Sequence, residues 1–289
     1  CGTDVHIMEG RLAIPPAFIP GHEFIGRVAA LGAGVRHDGL GTRLHAGDRA
    51  IACVAIPCGK CYNCLRGETA SCLAFGVTYV KDPATAPHFF GGWAEALHQP
   101  AACTVRVPDG LDPAAVAAFP CAGPTAIRAF AYGGGLKKGE LVVVQGTGPV
   151  GLFAVAWAAA AGCTVVTIGS GKISDRTRLS REVGATETID YHTVTPEERL
   201  AQVRELAKSL GHGDGADVVV EASGSPQAVP EGLELCRTRG RYLVPGQYSA
   251  SGVVPMRPEQ ITFKALQIIG SGQYTLQDIA TYLRFLRGN

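Results

Sequence analysis

From residue 141 onward the chain repeats one pattern that leaves few folds open. The runs "LVVVQ", "TVVTI", "ETID", "DVVVEA", "RYLVPG" and "LQIIG" follow one another, and helix-like segments near 150–162, 174–184, 196–210 and 226–237 separate most of them. Unbroken β-branched runs predict strands buried on both faces. Their alternation with helices predicts a parallel sheet covered on both sides. The 196–210 segment carries its own start signals: Thr195 as N-cap, Pro196 at the first helical position and Glu198 three residues after the cap. The first strand runs into "QGTGPVG", which is Gly146-x-Gly148-x-x-Gly151, and then into a helix. Placed there, the glycines allow a tight turn and the close approach of a pyrophosphate to a helix N-terminus.

Residues 1 to about 120 have a different texture. Short apolar segments such as "FIGRVAAL" and "RAIACVAI" alternate with Gly and Pro turns, which predicts a mostly β domain with long loops. Within it, "CGKCYNCLRGETASC" places cysteines at 58, 61, 64 and 72. Ten cysteines in a 289-residue chain do not suggest a disulfide scaffold, because such frameworks serve small domains without a core. The spacing instead fits four thiolates around one tetrahedral ion, zinc ahead of an iron–sulfur cluster. With every ligand supplied by the protein, this site is expected to be structural, and a reducing cytoplasm suits it. Cys1, His22 and Cys121 are scattered donors that could form a second site with an open position.

The net charge of +1 gives no basis for nucleic acid or a membrane surface as partner, and no basic patch surrounds the cysteine loop. The uncharged run 150–169 is the one stretch that approaches a membrane span in length. It is Ala-rich, breaks at Gly162 and then turns β-branched, so it reads as a buried helix followed by a buried strand.

Taken in order, "CGTDVH", "GHEFIGRVAALG", "GDRA", "PCGKCYNCLRGETASC", "GGWAEA", "CAGPTA", "GTGPVG" and "RGRYLVPG" resemble the zinc-containing medium-chain dehydrogenase/reductase superfamily, the alcohol, sorbitol and threonine dehydrogenases. The resemblance covers nearly the whole chain. It implies a GroES-like catalytic domain over 1–122, a Rossmann domain with a doubly wound, six-stranded parallel sheet over 123–272, and a return segment starting at 273–289. Because the chain begins at Cys1 without Met, we expect a β segment before it and the rest of the return segment after it to be cut off.

The same resemblance implies roles. Cys1, His22 and Cys121 would hold a catalytic zinc, with Glu23 an alternate ligand or an outer neighbour, and Cys58, Cys61, Cys64 and Cys72 would hold the structural zinc, two ions per chain. Asp4 would orient the His22 imidazole, and Thr3 with His6 would relay a proton to solvent. Thr125 would lie near the nicotinamide. Gly146, Gly148, Pro149, Val150 and Gly151 would cradle the pyrophosphate, and Gly246 would also meet the cofactor. The activity implied is hydride transfer between an alcohol or carbonyl substrate and NAD(P). Val54 and Trp93 are weak candidates for an apolar pocket.

In NAD-preferring relatives an acidic residue ends the second strand. Here that position is Gly169, followed by Ser170, Lys172, Arg176 and Arg178. The missing acid and the nearby cations lead us to expect NADP, while Asp175 is a substitute carboxylate that would serve NAD. The segment near 260–271 resembles the region where relatives pair, which implies a homodimer or homotetramer. A zinc-independent quinone or enoyl reductase on the same fold is the alternative, and the Cys and His ligand set argues against it.

Overall fold

The computed structural model describes residues 2–288 apart from 13–17, 54, 75, 78–81, 83, 87, 89, 248 and 250. Cys1 and Val54 therefore lie outside the described residues. The chain divides into two compact units, Cys1–Thr125 with Gly272–Asn289, and Ala126–Ser271.

The first unit contains, in chain order, helix α1 (Thr3–Met8), strands β1 (Ile25–Arg27), β2 (Arg49–Ala52) and β3 (Ala55–Ile56), helix α2 (Tyr62–Leu65), strands β4 (Gly76–Val77) and β5 (Thr104–Arg106) and helix α3 (Pro113–Ala118). The unit boundary falls inside α4 (Ala122–Tyr132). β1, β2 and β5 form an antiparallel sheet in that order, and β3 pairs antiparallel with β4. The strands are short and joined by Gly-rich turns, as expected where few apolar residues run together.

The second unit holds β6 (Leu141–Gln145), α5 (Pro149–Ala160), β7 (Thr164–Gly169), α6 (Ser174–Glu182), β8 (Glu187–Asp190), α7 (Pro196–Ser209), β9 (Ala216–Glu221), α8 (Ala228–Leu235), β10 (Cys236–Val244), α9 (Glu259–Phe263) and β11 (Gln267–Gly270). The sheet order is β11-β10-β9-β6-β7-β8, with every pair parallel. This is the doubly wound Rossmann arrangement, whose order reverses between β6 and β9 and opens a crevice at the strands' carboxyl ends. Val142, Val143 and Val144 of β6 and Val218, Val219 and Val220 of β9 are fully buried. Each contributes about 1.5–3 kcal/mol relative to an exposed side chain. The α7 capping box forms at both ends: the Glu198 N–H donates to Thr195 Oγ1 and the Thr195 N–H donates to Glu198 Oε2.

β10 departs from the sequence reading. It begins at Cys236, ahead of "RYLVPG", and its register against β9 shifts between Cys236 and Arg241. Arg239 sits there at φ 62°, and its N–H donates to the Lys264 carbonyl. The Lys264 ammonium in turn donates to the carbonyls of Leu233, Glu234 and Cys236, closing the end of α8. After β11 the chain re-enters the first unit as α10 (Leu276–Gly288). The Tyr282 hydroxyl, contacting the Ala115 and Val116 carbonyls at 3.1 and 2.9 Å, fixes α10 to α3. Among the described residues no helix is long and apolar enough to cross a membrane.

Candidate active site and metal centres

The cysteine loop folds around its sulfurs. α2 and the 3-10 turn Thr69–Ser71 bring Cys58, Cys61, Cys64 and Cys72 together, with all four sulfurs within 4.8 Å of one another. The Cys61 and Cys72 sulfurs are 4.0 Å apart, close to the edge of about 3.8 Å that a tetrahedral zinc–thiolate shell requires. The N–H groups of Cys58 and Ala74 point at Cys72 Sγ at 3.2 and 3.4 Å. Backbone N–H groups of Cys64 and Leu73 pull the Cys61 thiol down to about 6, favouring the thiolate that a metal needs. Donor type and spacing both fit zinc.

A second cluster joins His22, Glu23 and Cys121, whose donor atoms also lie within 4.8 Å of one another. Glycines make its geometry possible. Trp93 N donates to the Pro20 carbonyl and Gly92 N to the Gly21 carbonyl, so "GGW" lies directly on the backbone leading into His22. A Cβ on Gly91 would stand 2.0 Å from the Ile19 carbonyl oxygen, and Gly21 sits at φ 99°. His22 is 4% exposed, and its Nδ1 stands 3.0 Å from Asp4 Oδ2 on α1. The Gly21 N–H donates to the other Asp4 oxygen. Burial pulls the Asp4 carboxyl up, but the hydrogen bond and charge of His22 and the Gly21 N–H outweigh it, so the group sits below its ordinary value. Asp4 beside Nδ1 favours the tautomer that leaves Nε2 as the ligand nitrogen. Burial, reinforced by the Glu23 charge, pushes the Cys121 thiol up to about 12. A divalent cation among these donors would reverse that. One nitrogen, one carboxylate oxygen and one sulfur suit zinc. α1 also carries Thr3 and His6, both half-buried. Thr125 Oγ1 donates to the Cys121 carbonyl at 2.8 Å and lies 4.0 Å from its sulfur. Trp93 is 61% exposed.

In the second unit the glycine loop divides its labour. Gly146 turns at φ 107° against the backbone of Ala222 and Ser223. A Cβ on Gly151 would stand 1.9 Å from the Gly146 carbonyl oxygen. Gly148 is the N-cap of α5, with Pro149 and Val150 next, and a Cβ on it would meet nothing within 4 Å. That open space above a helix N-terminus fits a pyrophosphate. A cavity of about 1030 Å³ at the carboxyl ends of the strands takes in Gly146, Ile168, Tyr191, Ser223 and Ser225. The Gly246 N–H donates to the Glu221 carbonyl, which ties the turns after β9 and β10 together.

At the end of β7, a Cβ on Gly169 would stand 2.5 Å from Thr147 Cγ2. Thr147 thus fills the space an acidic side chain would need. The carboxylate beside this turn comes from Asp190, which ends β8 in register with Gly169. Asp190 Oδ1 accepts from the N–H groups of Gly171 and His192, and these bonds hold the group below its ordinary value. A cavity of about 510 Å³ is lined there by Thr147, Gly169, Gly171, Arg178, Arg181 and Asp190, among others. Ser170 bonds His192, and Lys172 and Arg176 are exposed outside that lining. Arg178 is paired with Glu182 and Asp175, whereas Arg181 bonds the uncharged Thr188 hydroxyl. Asp190 and Arg181 escaped the sequence reading. Asp190 could have been found as the last residue of the neighbouring strand.

Residues 1–109 match the family described as alcohol dehydrogenase GroES-like domain, and residues 149–288 match zinc-binding dehydrogenase. A 5-exo-hydroxycamphor dehydrogenase of Pseudomonas putida is 38% identical over 275 residues, covering 94% of this chain and 73% of that protein. The crystal structure of an alcohol dehydrogenase from Thermotoga maritima superposes with TM-score 0.90 at 31% identity, over 100% of this chain and 79% of that one. A zinc-binding dehydrogenase from Sinorhizobium meliloti, solved bound to NADP, gives 0.81 at 27% identity, over 100% and 78%. The matched regions, these identities and the two donor clusters agree, and the chain belongs to the zinc-containing medium-chain dehydrogenase superfamily.

Proposed function

We propose that this chain is a zinc-dependent alcohol dehydrogenase in which His22, Glu23 and Cys121, with Cys1, hold the catalytic ion. The observation that carries the reading is the His22–Glu23–Cys121 cluster, in which His22 is buried beside Asp4 and Glu23 and Cys121 are half-buried. When bound, zinc supplies Lewis-acid stabilisation of the substrate oxygen, and NAD(P) exchanges hydride with the substrate carbon. The protein's own tasks are binding, orientation and proton movement. Asp4 fixes the His22 tautomer. In the oxidative direction the alcohol loses one hydride and one proton. Thr3 and His6, one helical turn apart on α1, pass the proton to solvent. By the resemblance, Thr125, whose hydroxyl donates to the Cys121 carbonyl, would lie near the nicotinamide. The bare space above Gly148 seats the pyrophosphate.

The 2′-phosphate of NADP would meet Arg181 and Arg178 in the cavity beside Gly169. Asp190, on the same cavity, favours the ribose hydroxyls of NAD and gives the second reading. We further propose a cytoplasmic homodimer or homotetramer; the edge strand β11 and the 83% exposed Phe263 support pairing. The decisive experiment is zinc content with alcohol oxidation across a substrate panel. Two zincs per chain and NAD(P)-dependent activity are expected, with Cys121→Ser losing one zinc and the activity together. Full activity in Cys121→Ser would overturn the assignment.

A further inference from the structure

Glu221 ends β9, one of the two strands between which the sheet order reverses, and it is 0% exposed. A carboxyl in so dry a place is expected to have both oxygens matched. Only one is. Oε1 accepts from the Ser223 N–H at 2.9 Å, the Gly224 N–H at 2.9 Å and the Ser223 hydroxyl at 2.6 Å. Oε2 is buried with no hydrogen-bond partner among the described residues. An unmatched buried oxygen opposes folding, so stability alone would favour an apolar side chain here. The bonds on Oε1 point to another task. They fold the turn 222–224 back onto its own strand, and two further turns rest on it. The Ala222 N–H donates to the Gln145 carbonyl, and a Cβ on Gly146, the first glycine of the phosphate loop, would stand 2.8 Å from the Ala222 and Ser223 backbone. The Ser223 hydroxyl accepts from the Ser225 N–H, and the Gln247 amide, beyond β10, donates to the Ser225 carbonyl. On that side a Cβ on Gly246 would stand 2.5 Å from Glu221 Oε2. Gly146, Ser223 and Ser225 all line the cavity at the strand ends.

We propose that Glu221 is a positioning residue of the cofactor crevice: by holding the turn 222–224 on Oε1, it sets where Gly146, Ser223 and Ser225 stand against a bound dinucleotide. This rests on reading the crevice as the cofactor's seat. Glu221 is wholly buried and does not touch the cofactor; it acts through the turn. A binding seat tolerates displacements of only about 0.5 Å, and two N–H groups fixed on one oxygen leave the turn little freedom to move that far. The unmatched Oε2 is then a local departure from good packing, kept because the other oxygen is needed where it is.

The test uses the full chain and titrates NADPH and NADH by fluorescence alongside steady-state rates. Glu221→Leu fills the space without an acceptor and is expected to weaken both cofactors about tenfold, the value of one hydrogen bond to a charged group. The loss should fall equally on the two, because the turn serves the part they share. In the rates it should appear as a raised cofactor KM, with kcat at saturating cofactor changed much less. Glu221→Gln keeps an oxygen facing the turn and is expected to bring binding back to within about threefold of wild type. Ser223→Ala removes one of the three donors and leaves the core filled, so it serves if Glu221→Leu fails to fold. It is expected to weaken both cofactors about threefold, and to add nothing in the Glu221→Leu background. Wild-type affinity in Glu221→Leu or in Ser223→Ala, a loss confined to one cofactor, or a Gln variant as weak as the Leu variant would each overturn the role of Glu221 and leave the crevice reading intact. Failure of the wild type to bind either cofactor would overturn both together.

Discussion

Two glycines in one loop should fail in opposite ways. In Gly151→Ala the new methyl stands 1.9 Å from the Gly146 carbonyl oxygen, which is backbone and cannot swing aside. Overpacking of this kind costs about 1–3 kcal/mol, against a gain of about 0.4–1 kcal/mol from a stiffer unfolded chain. At about 2–4 °C per kcal/mol, a net loss near 2 kcal/mol lowers the melting point by about 4–8 °C. In Gly148→Ala the methyl meets nothing within 4 Å, and φ is −77°, open to any residue. The weaker N-cap and the stiffer unfolded chain nearly cancel, so the melting point should stay within about 2 °C. The methyl would instead occupy the pyrophosphate seat. Losing one hydrogen bond to a charged oxygen, about 1.5–3 kcal/mol, weakens cofactor binding about ten- to hundredfold. Thermal melting by circular dichroism and titration of reduced cofactor by fluorescence read both effects on the same samples. Unchanged cofactor affinity in Gly148→Ala would refute the assignment of the open space. An undiminished melting point in Gly151→Ala would refute the packing argument.

The two metal clusters should separate on substitution. Cys61→Ser is expected to release the loop zinc and unfold the lobe around residues 58–72, whereas Cys121→Ser keeps that zinc and the fold, as elemental analysis and melting curves would show. Arg181→Ala should weaken NADP binding about tenfold and leave NAD unchanged, while Asp190→Ala weakens NAD; the reverse pattern in calorimetric titrations would exchange the two assignments. Glu198 is held below its ordinary value of 4.5 by the Thr195 N–H and hydroxyl. A depressed carboxylate stabilises the fold above its unfolded value, and that contribution is lost as pH falls through the folded one. Glu198→Gln keeps the capping geometry and should flatten the melting point between about pH 5 and 3 relative to wild type.

Much of the second unit was legible because its strands are buried on both faces. "LVVVQ" and "DVVVEA" admit few other readings, and Thr195-Pro196 with Glu198 marks a helix start in four letters. The cysteine loop was legible because its ligands are neighbours in sequence. Contacts set by register or by distant segments were not. The carboxylate at the end of β7 comes from Asp190, and only the pairing of β7 with β8 puts it there. The loss of an acid at 169 is explained by Thr147, a variable position of the glycine loop that no motif would flag. The bulge in β10 depends on Arg239 meeting Lys264, a pairing across a loop.

The open space at Gly148, proposed above as the pyrophosphate seat, has a consequence for how binding responds to ionic strength. The seat offers main-chain N–H groups and a helix terminus, and no lysine or arginine stands at Gly148 itself. Hydrogen bonds from fixed amides at short range are little affected by mobile ions, whereas an exposed guanidinium is screened over a Debye length of about 8–10 Å. Grip on the pyrophosphate should therefore persist in concentrated salt, while recognition of a 2′-phosphate through Arg181 fades. Any preference this protein shows for NADP over NAD would narrow as salt rises, with its hold on the shared part of the two cofactors left almost intact.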